Sequence, residues 1–265
     1  MRELNIDEIR SIQLEILKKV SEYCDDNNLR YSLAYGTLIG AIRHKGYIPW
    51  DDDIDIVMPR PDYERFIKSF NTYATDYKVH VTELNSNFIY TFAKVSYNKS
   101  ILIEDIEVKY EIGINIDVFP IDGVPSIDNP TMKKQNFYRN LASFKTIKIN
   151  SDRNIIKNIV LILGKILLSW LSLKRINLKM IDNSKKYSFE NEEYCCNIST
   201  GFTEDKAIPK RYLEDFIDCF FENQKFKASK FYDEWLKSYY GDYMKLPPRE
   251  KQVSHHRYKA YMKEY

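Results

Sequence analysis

The chain has little with which to bind zinc or cross-link itself. Its four cysteines, Cys24, Cys195, Cys196 and Cys219, show no Cys-x-x-Cys or Cys/His finger spacing, so no zinc site is expected. All four are expected as reduced thiols in a cytoplasmic setting. The first residues, MRELNIDEIRSIQLEIL, lack a charged start, an apolar run and a small-residue cleavage site, so no signal peptide is expected. No internal repeat or low-complexity tract occurs. Net charge is only +2 and points to no partner by itself. A clean apolar run of about twenty residues is also missing. The most apolar stretch, NIIKNIVLILGKILLSWLSL at 154–173, is broken by Lys157, Gly164 and Lys165.

What the chain does have is length, apolar content and local charge. Its 265 residues, 44% of them apolar, suit one large globular domain or a domain with an insertion. Between Met132 and Ile181 there are eleven Lys or Arg and one acid, Asp152. That block calls for an anionic surface. Apolar helices with flanking cations favour the headgroup region of a membrane, so 148–175 is expected to lie on anionic lipid. Lys148, Arg153, Lys174 and Arg175 would face the headgroups and Trp170 the interface. The alternative is a buried core helix. No nucleic-acid motif accompanies the basic block, and no nucleic-acid partner is expected.

Periodicity predicts a helix over 6–28, a short strand at 31–35, a helix over 38–44, a strand at 54–57 and a helix from Pro61 to Phe70. Strands follow at 79–84, 88–96 and 101–103, with a hairpin turn at Asn98-Lys99. A further strand, Ile114 to Phe119, is expected to end at Pro120. Residues from Met132 to about Ser188 read as helical, as does the part after Pro209. The expected architecture is α/β (α+β), a mixed sheet flanked by helices. A catalytic core over 1–130 would carry a helical insertion at 131–190 and a helical C-terminal part at 191–265.

The richest segment is Trp50-Asp51-Asp52-Asp53-Ile54-Asp55-Ile56-Val57. On an extended strand Asp53 and Asp55 share one face and Ile54 and Ile56 the other. Two such carboxylates can converge on a cation, and oxygen-only ligands favour magnesium or manganese. A third ligand must come from elsewhere. Asp117, an acid among apolar neighbours on another predicted strand, is the candidate, since a lone buried charge there is costly. Asp51 and Asp52 read as loop acids. Upstream, Gly36-Thr37 between a strand and a helix could cradle phosphate. Arg43, His44 and Lys45 could grip a diphosphate or merely complement the helix end.

The order glycine turn, Asp-x-Asp strand, third acid resembles the nucleotidyltransferase superfamily. SLAYGTLIGAIRHKGYIPWDDDIDIVMPRPDYERF at 32–66 resembles the LicD family, which also includes fukutin and fukutin-related protein. FAKVSYN around Lys94, GINIDVFPIDGVP at 113–125 and LPPREKQVSHH at 246–256 extend the resemblance. It implies a magnesium-dependent transferase with Asp53, Asp55 and Asp117 as catalytic metal ligands and Gly36 and Thr37 at the donor phosphates. The donor would be a CDP-linked alcohol. The product would be a cell-surface glycan, or its lipid-linked precursor, carrying phosphocholine or an alditol phosphate such as ribitol or glycerol phosphate. Lys94 would meet transition-state charge, and Lys251, His255 and His256 would close over the donor. Trp50 is the first candidate for a cation–π contact to choline. The enzyme would work at the inner face of the membrane. Transfer of NMP from an NTP, or binding without catalysis, are the rival expectations.

Overall fold

A computed structural model describes residues 1–104, 110–128, 130–147, 154–202, 205–254 and 258–264. The chain opens with β1 (Arg2–Glu3) and helix α1 (Ile6–Asp26). A reciprocal capping box starts α1: the Glu8 amide donates to Asn5 Oδ1 and the Asn5 amide to Glu8 Oε2, both at 3.0 Å. Then come β2 (Ser32–Leu33), α2 (Tyr35–Ile39), a π-helical turn Gly40–His44, β3 (Asp55–Pro59) and α3 (Arg60–Tyr73). Strands β4 (Tyr77–His80), β5 (Ala93–Tyr97), β6 (Ser100–Glu104) and β7 (Asn115–Val124) follow.

Three helices occupy the basic stretch, α4 (Pro130–Thr146), α5 (Ile155–Leu167) and α6 (Leu173–Ser184). The remainder forms β8 (Tyr194–Cys196), β9 (Ile208–Pro209), β10 (Phe216–Phe221), β11 (Gln224–Ser229), α7 (Tyr232–Tyr240) and β12 (Tyr258–Met262).

The main sheet runs in the order β2-β3-β7-β5-β4, with β8 paired to the far end of β7 and β9 to β8. β3 and β7 are parallel and the other pairs antiparallel, which is the mixed-sheet α/β (α+β) architecture expected. Alternation along β3 and β7 sends Ile56, Met58, Ile116 and Val118 to one face, and α1 and α3 pack on these strands. All four residues are buried in one core that extends into both helices.

Several elements differ from expectation. β7 continues through Pro120 to Val124. The β5 ladder stops at Val118 and the β8 ladder starts at Asp122, so the proline's missing N–H falls between partners. Asn98-Lys99 joins two sheets and not a hairpin, because β6 pairs with β12, which also pairs with β1. The part after Pro209 is not simply helical. β10 and β11 form a hairpin whose turn residues, Glu222 and Asn223, both have positive φ (50° and 60°), as a tight right-twisted hairpin requires.

Buried amides stitch the helical segment to the core and its helices to one another. Asn177 Nδ2 donates to the Ile89 carbonyl at 2.9 Å, and Asn183 Nδ2 to Gln135 Oε1 at 2.9 Å. The strongest tie is ionic: Arg60 donates to both oxygens of Asp122, at 2.6 and 2.7 Å, and to Ser184 Oγ at 3.1 Å. It joins α3, β7 and α6. Asp122 is fully buried, so losing its partner strands a charge. Arg60→Ala is therefore expected to cost about 3–5 kcal/mol in chemical denaturation. An Arg60→Met/Asp122→Leu double variant should recover most of that loss.

Candidate active site

The in-register parallel pairing of β3 and β7 sets Asp55 directly opposite Asp117. Across the antiparallel β5–β7 ladder, Asp117 faces Lys94. Two carboxylates and an ammonium thus lie side by side on the face turned away from α1 and α3. Asp53, two residues before β3, joins them at the wall of a cavity of about 880 Å³. The cavity is lined on its other sides by α4 (Arg139, Ser143), α6 (Asn177, Met180), Asn197, Thr200, Phe202 and Asp205, and α7 (Tyr239, Tyr240).

The acidic loop is held from behind. Arg10 of α1 donates to the carbonyls of Pro49 (3.0 Å) and Asp51 and stacks on the Tyr47 ring at 4.9 Å. Buried Gln13 donates to the Asp52 carbonyl at 2.9 Å. Asp52 accepts from Ser254 Oγ at 2.9 Å, and its carbonyl accepts from Tyr258 OH at 3.2 Å. The side chain of Asp52 thus serves the loop's attachment to the C-terminal segment.

Electrostatics single out Asp55. Burial, then the charges of Asp53, Asp117 and Asp51, push its carboxyl well above the ordinary range, while Lys94 pulls it back. Lys94 Nζ instead grips Asp117 Oδ1 at 2.6 Å and Asn115 Oδ1 at 3.3 Å. It also lies 4.8 Å from the centre of the Tyr90 ring and 5.7 Å from that of Phe92. Hard oxygen donors from two strands are the right chemistry for magnesium or manganese. Among the described residues, however, no three acidic, His or Cys side chains are drawn together closely enough to enclose an ion. Lys94 holds Asp117 in that arrangement.

The other sequence-derived candidates are scattered. Thr37 is buried and its Oγ1 accepts from the Asp55 amide at 2.8 Å, so it pins the start of β3 from behind. Gly36 packs against Asp51: a Cβ there would lie 2.6 Å from Asp51 Oδ2. Neither lines the cavity. Arg43 donates to the Tyr243 carbonyl and, at 3.3 Å, to His44 Nδ1. Burial and Arg43 lower the pKa of His44, which sits edge-on to Trp50 at 6.4 Å. Lys45 takes a left-handed turn, φ 62°, and its carbonyl accepts from Glu222. Arg43, His44, Lys45 and Trp50 all lie outside the cavity lining. So does Lys251, exposed on a single turn at Arg249–Lys251. His255 and His256 lie outside the described residues, as do Lys148 and Arg153.

Sequence reading missed the aromatic wall. Tyr240, Tyr239, Tyr35, Phe119, Phe92 and Tyr90 follow one another around the cavity with neighbouring ring centres 4.4–6.2 Å apart. Arg139 also went unnoticed; its Nε is buried without a hydrogen-bond partner, and its guanidinium covers the Phe202 ring at 4.7 Å. Tyr35, next to Gly36, carried a faint signal, but 21 tyrosines dilute any such sign.

The LicD/FKTN/FKRP nucleotidyltransferase domain matches residues 28–150, which span the acidic loop, Lys94 and Asp117. The chain is 33% identical to the lipopolysaccharide cholinephosphotransferase LicD of Haemophilus influenzae, over 99% of this chain and 100% of that one. Shorter similarities link it to two uncharacterized Rickettsia proteins. One is from R. typhi, 37% identical over 25% of this chain and 22% of the relative. The other is from R. prowazekii, 44% identical over 18% of each. With a relative 33% identical along its whole length and the family's domain spanning these residues, the chain belongs to the LicD family of phosphotransferases.

Proposed function

We propose that the protein transfers phosphocholine from CDP-choline to a hydroxyl of a lipopolysaccharide-type glycan or its lipid-linked precursor. The observation that carries this reading is the facing pair Asp55 and Asp117, with Asp53, on the wall of one cavity, taken with the full-length similarity to a cholinephosphotransferase. Asp53, Asp55 and Asp117 would hold a magnesium ion, which when bound neutralises charge on the donor's diphosphate. For Asp117 to join, Lys94 must release it and turn its ammonium toward the phosphate oxygens.

The acceptor oxygen attacks the phosphorus that carries choline, the P–O bond to CMP breaks, and the acceptor proton passes to a carboxylate. We assign that role to Asp55, whose carboxyl is pushed well above the ordinary range by burial and then by its acidic neighbours. Lys94 and Arg139 supply positive charge along the wall where the phosphoryl oxygens gain charge. Transfer of NMP from an NTP would release diphosphate in place of CMP, so product analysis separates the two reactions.

Asp55→Asn should lower CMP release from CDP-choline by at least about 100-fold while the fold survives. Stability gives a second readout. The folded chain raises the Asp55 pKa, so it binds a proton more tightly than the unfolded chain. Stability is then lost as pH rises from about 4, the ordinary carboxylate value, through the raised one. With a chelator present, Asp55→Asn should unfold at a temperature no lower than the native chain at pH 8. The difference should shrink toward pH 4. Undiminished CMP release by the variant would remove Asp55 from the chemistry.

The same reading places the enzyme on an anionic membrane through α5. Ile155, Ile156, Ile159, Val160, Ile162, Leu163, Ile166 and Leu167 are all exposed, up to 76%, and so is Trp170 just beyond. At 100° per residue they cover an arc of about 160°. The opposite side carries buried Leu161, Gly164 against the Phe144 ring, and Lys165, which donates to the Ile147 carbonyl at 2.6 Å. Among the described residues no helix is long and apolar enough to cross a membrane, which supports a helix lying flat. Exposed Lys157 and Arg175 suit anionic headgroups. The intact protein should float with anionic vesicles and not with neutral ones, and Ile159→Glu/Leu163→Glu should stay at the bottom of the gradient. Failure of the native protein to float would leave a protein partner as the cover of this face.

A further inference from the structure

The cavity's aromatic arc has two chemically different ends. At one end Lys94 already places its ammonium over Tyr90 and Phe92. The other end is formed by Tyr35, Tyr239 and Tyr240, with Asp205 beside them on the same wall. The rings there are fixed by their own hydroxyls. Tyr35 OH accepts from Asn197 Nδ2 at 2.8 Å, and Tyr239 OH donates to the Lys206 carbonyl at 2.8 Å while accepting from the Lys206 amide at 3.0 Å.

Tyr35 also holds a left-handed backbone, φ 48°, a conformation that strains a non-glycine residue and gathers at working sites. Burial, only partial at Tyr240, raises all three phenol pKa values, and the charge of Asp205 contributes to each. Asp205 is therefore electrostatically close to all three rings. Tyr240 also feels Asp55, Asp51 and Asp53, which puts it between Asp205 and the phosphate chemistry.

We infer that Tyr35, Tyr239, Tyr240 and Asp205 form the subsite for a quaternary ammonium, the head of the transferred group. Ring faces attract a cation without offering it hydrogen bonds. The tied-back hydroxyl of Tyr239 has both its donor and an acceptor role in use. A primary ammonium would exchange its hydrogen bonds to water for the few that Asp205 can accept, whereas a trimethylated one has none to lose. Asp205, whose Oδ2 accepts from Thr200 Oγ1 at 2.6 Å, brings negative charge to the same wall. Trp50, outside the cavity lining, takes no part. This inference rests on the reading of the site as a CDP-choline transferase and specifies which residues hold the choline head.

The test is calorimetric titration of the intact protein, with magnesium, against CDP-choline, CDP-ethanolamine, CDP-glycerol and CMP. The native chain should bind CDP-choline about tenfold more tightly than CDP-glycerol, with CDP-ethanolamine between. Tyr240→Leu, at an exposed position, and Asp205→Asn should each abolish that margin while CMP affinity stays within about twofold. Tyr240→Phe, which keeps the ring, should retain the margin. An unchanged margin in both loss variants would overturn the assignment. So would an equal weakening of CMP, which would give the rings to the cytosine base. CMP release from CDP-glycerol without any choline margin would sink the subsite and spare the reaction. A choline margin without CMP release from any donor would do the reverse.

Discussion

The parallel pairing of β3 with β7 is the constraint on which the rest of the site depends. Neighbouring strands lie about 4.8 Å apart, and the register puts Asp55 against Asp117 with no offset. A shift of one residue would send Asp117 to the α1/α3 face beside Ile56 and turn Ile116 and Val118 out toward the cavity. The core enforces the register: Ile56 opposite Val118 and Val57 opposite Phe119 must find their own faces. Chemistry and folding therefore share one set of hydrogen bonds.

Around that pair the protein spends polar groups on position. Gln13 and Arg10 secure the backbone of the acidic loop, Thr37 accepts from the Asp55 amide, and Ser254 ties Asp52 to the C-terminal segment. Lys94 has a more active place. It neutralises Asp117 and rests on two aromatic rings, leaving Asp55 with the greater electrostatic load. Like charges kept close in a buried wall raise proton affinity and the hold on a cation alike. Those are the properties required where phosphoryl charge must be offset and a hydroxyl proton removed.

The helices between Pro130 and Ser184 connect this chemistry with the surface. α4 and α6 line the cavity, and α5, between them in sequence, presents the broad apolar face. An acceptor carried on lipid would thus meet the enzyme along the same segment that forms one wall of its cavity. The buried amide of Asn177 and the Arg60–Asp122 pair hold that segment on the core, and Asn183 ties α6 to α4 within it. This explains why a segment so basic and so apolar can still shape a specific site.

Much of the frame could be read from the residues alone. The alternation in DDDIDIV, the isolated acid in NIDVF and the turn at Gly36 depend on near neighbours and the period of a strand, and these gave the three carboxylates and the mixed sheet. The amphipathic character of 154–167 is local in the same sense. Long-range pairing was not legible: β12 taking β6 from a hairpin with β5, or β8 carrying β7 past Pro120, joins residues far apart in the chain. Nor was the aromatic wall, since no periodicity tells Tyr35, Tyr239 and Tyr240 from the other tyrosines. The sequence by itself determined which groups carry charge and which strand faces they occupy, because those follow from backbone geometry within a few residues. Only the tertiary structure decided that Lys94 holds Asp117, that Thr37 and Trp50 stand outside the cavity lining, and that Asp205 and three tyrosines line one cavity. Such contacts are set by packing between distant segments, to which local propensity is blind.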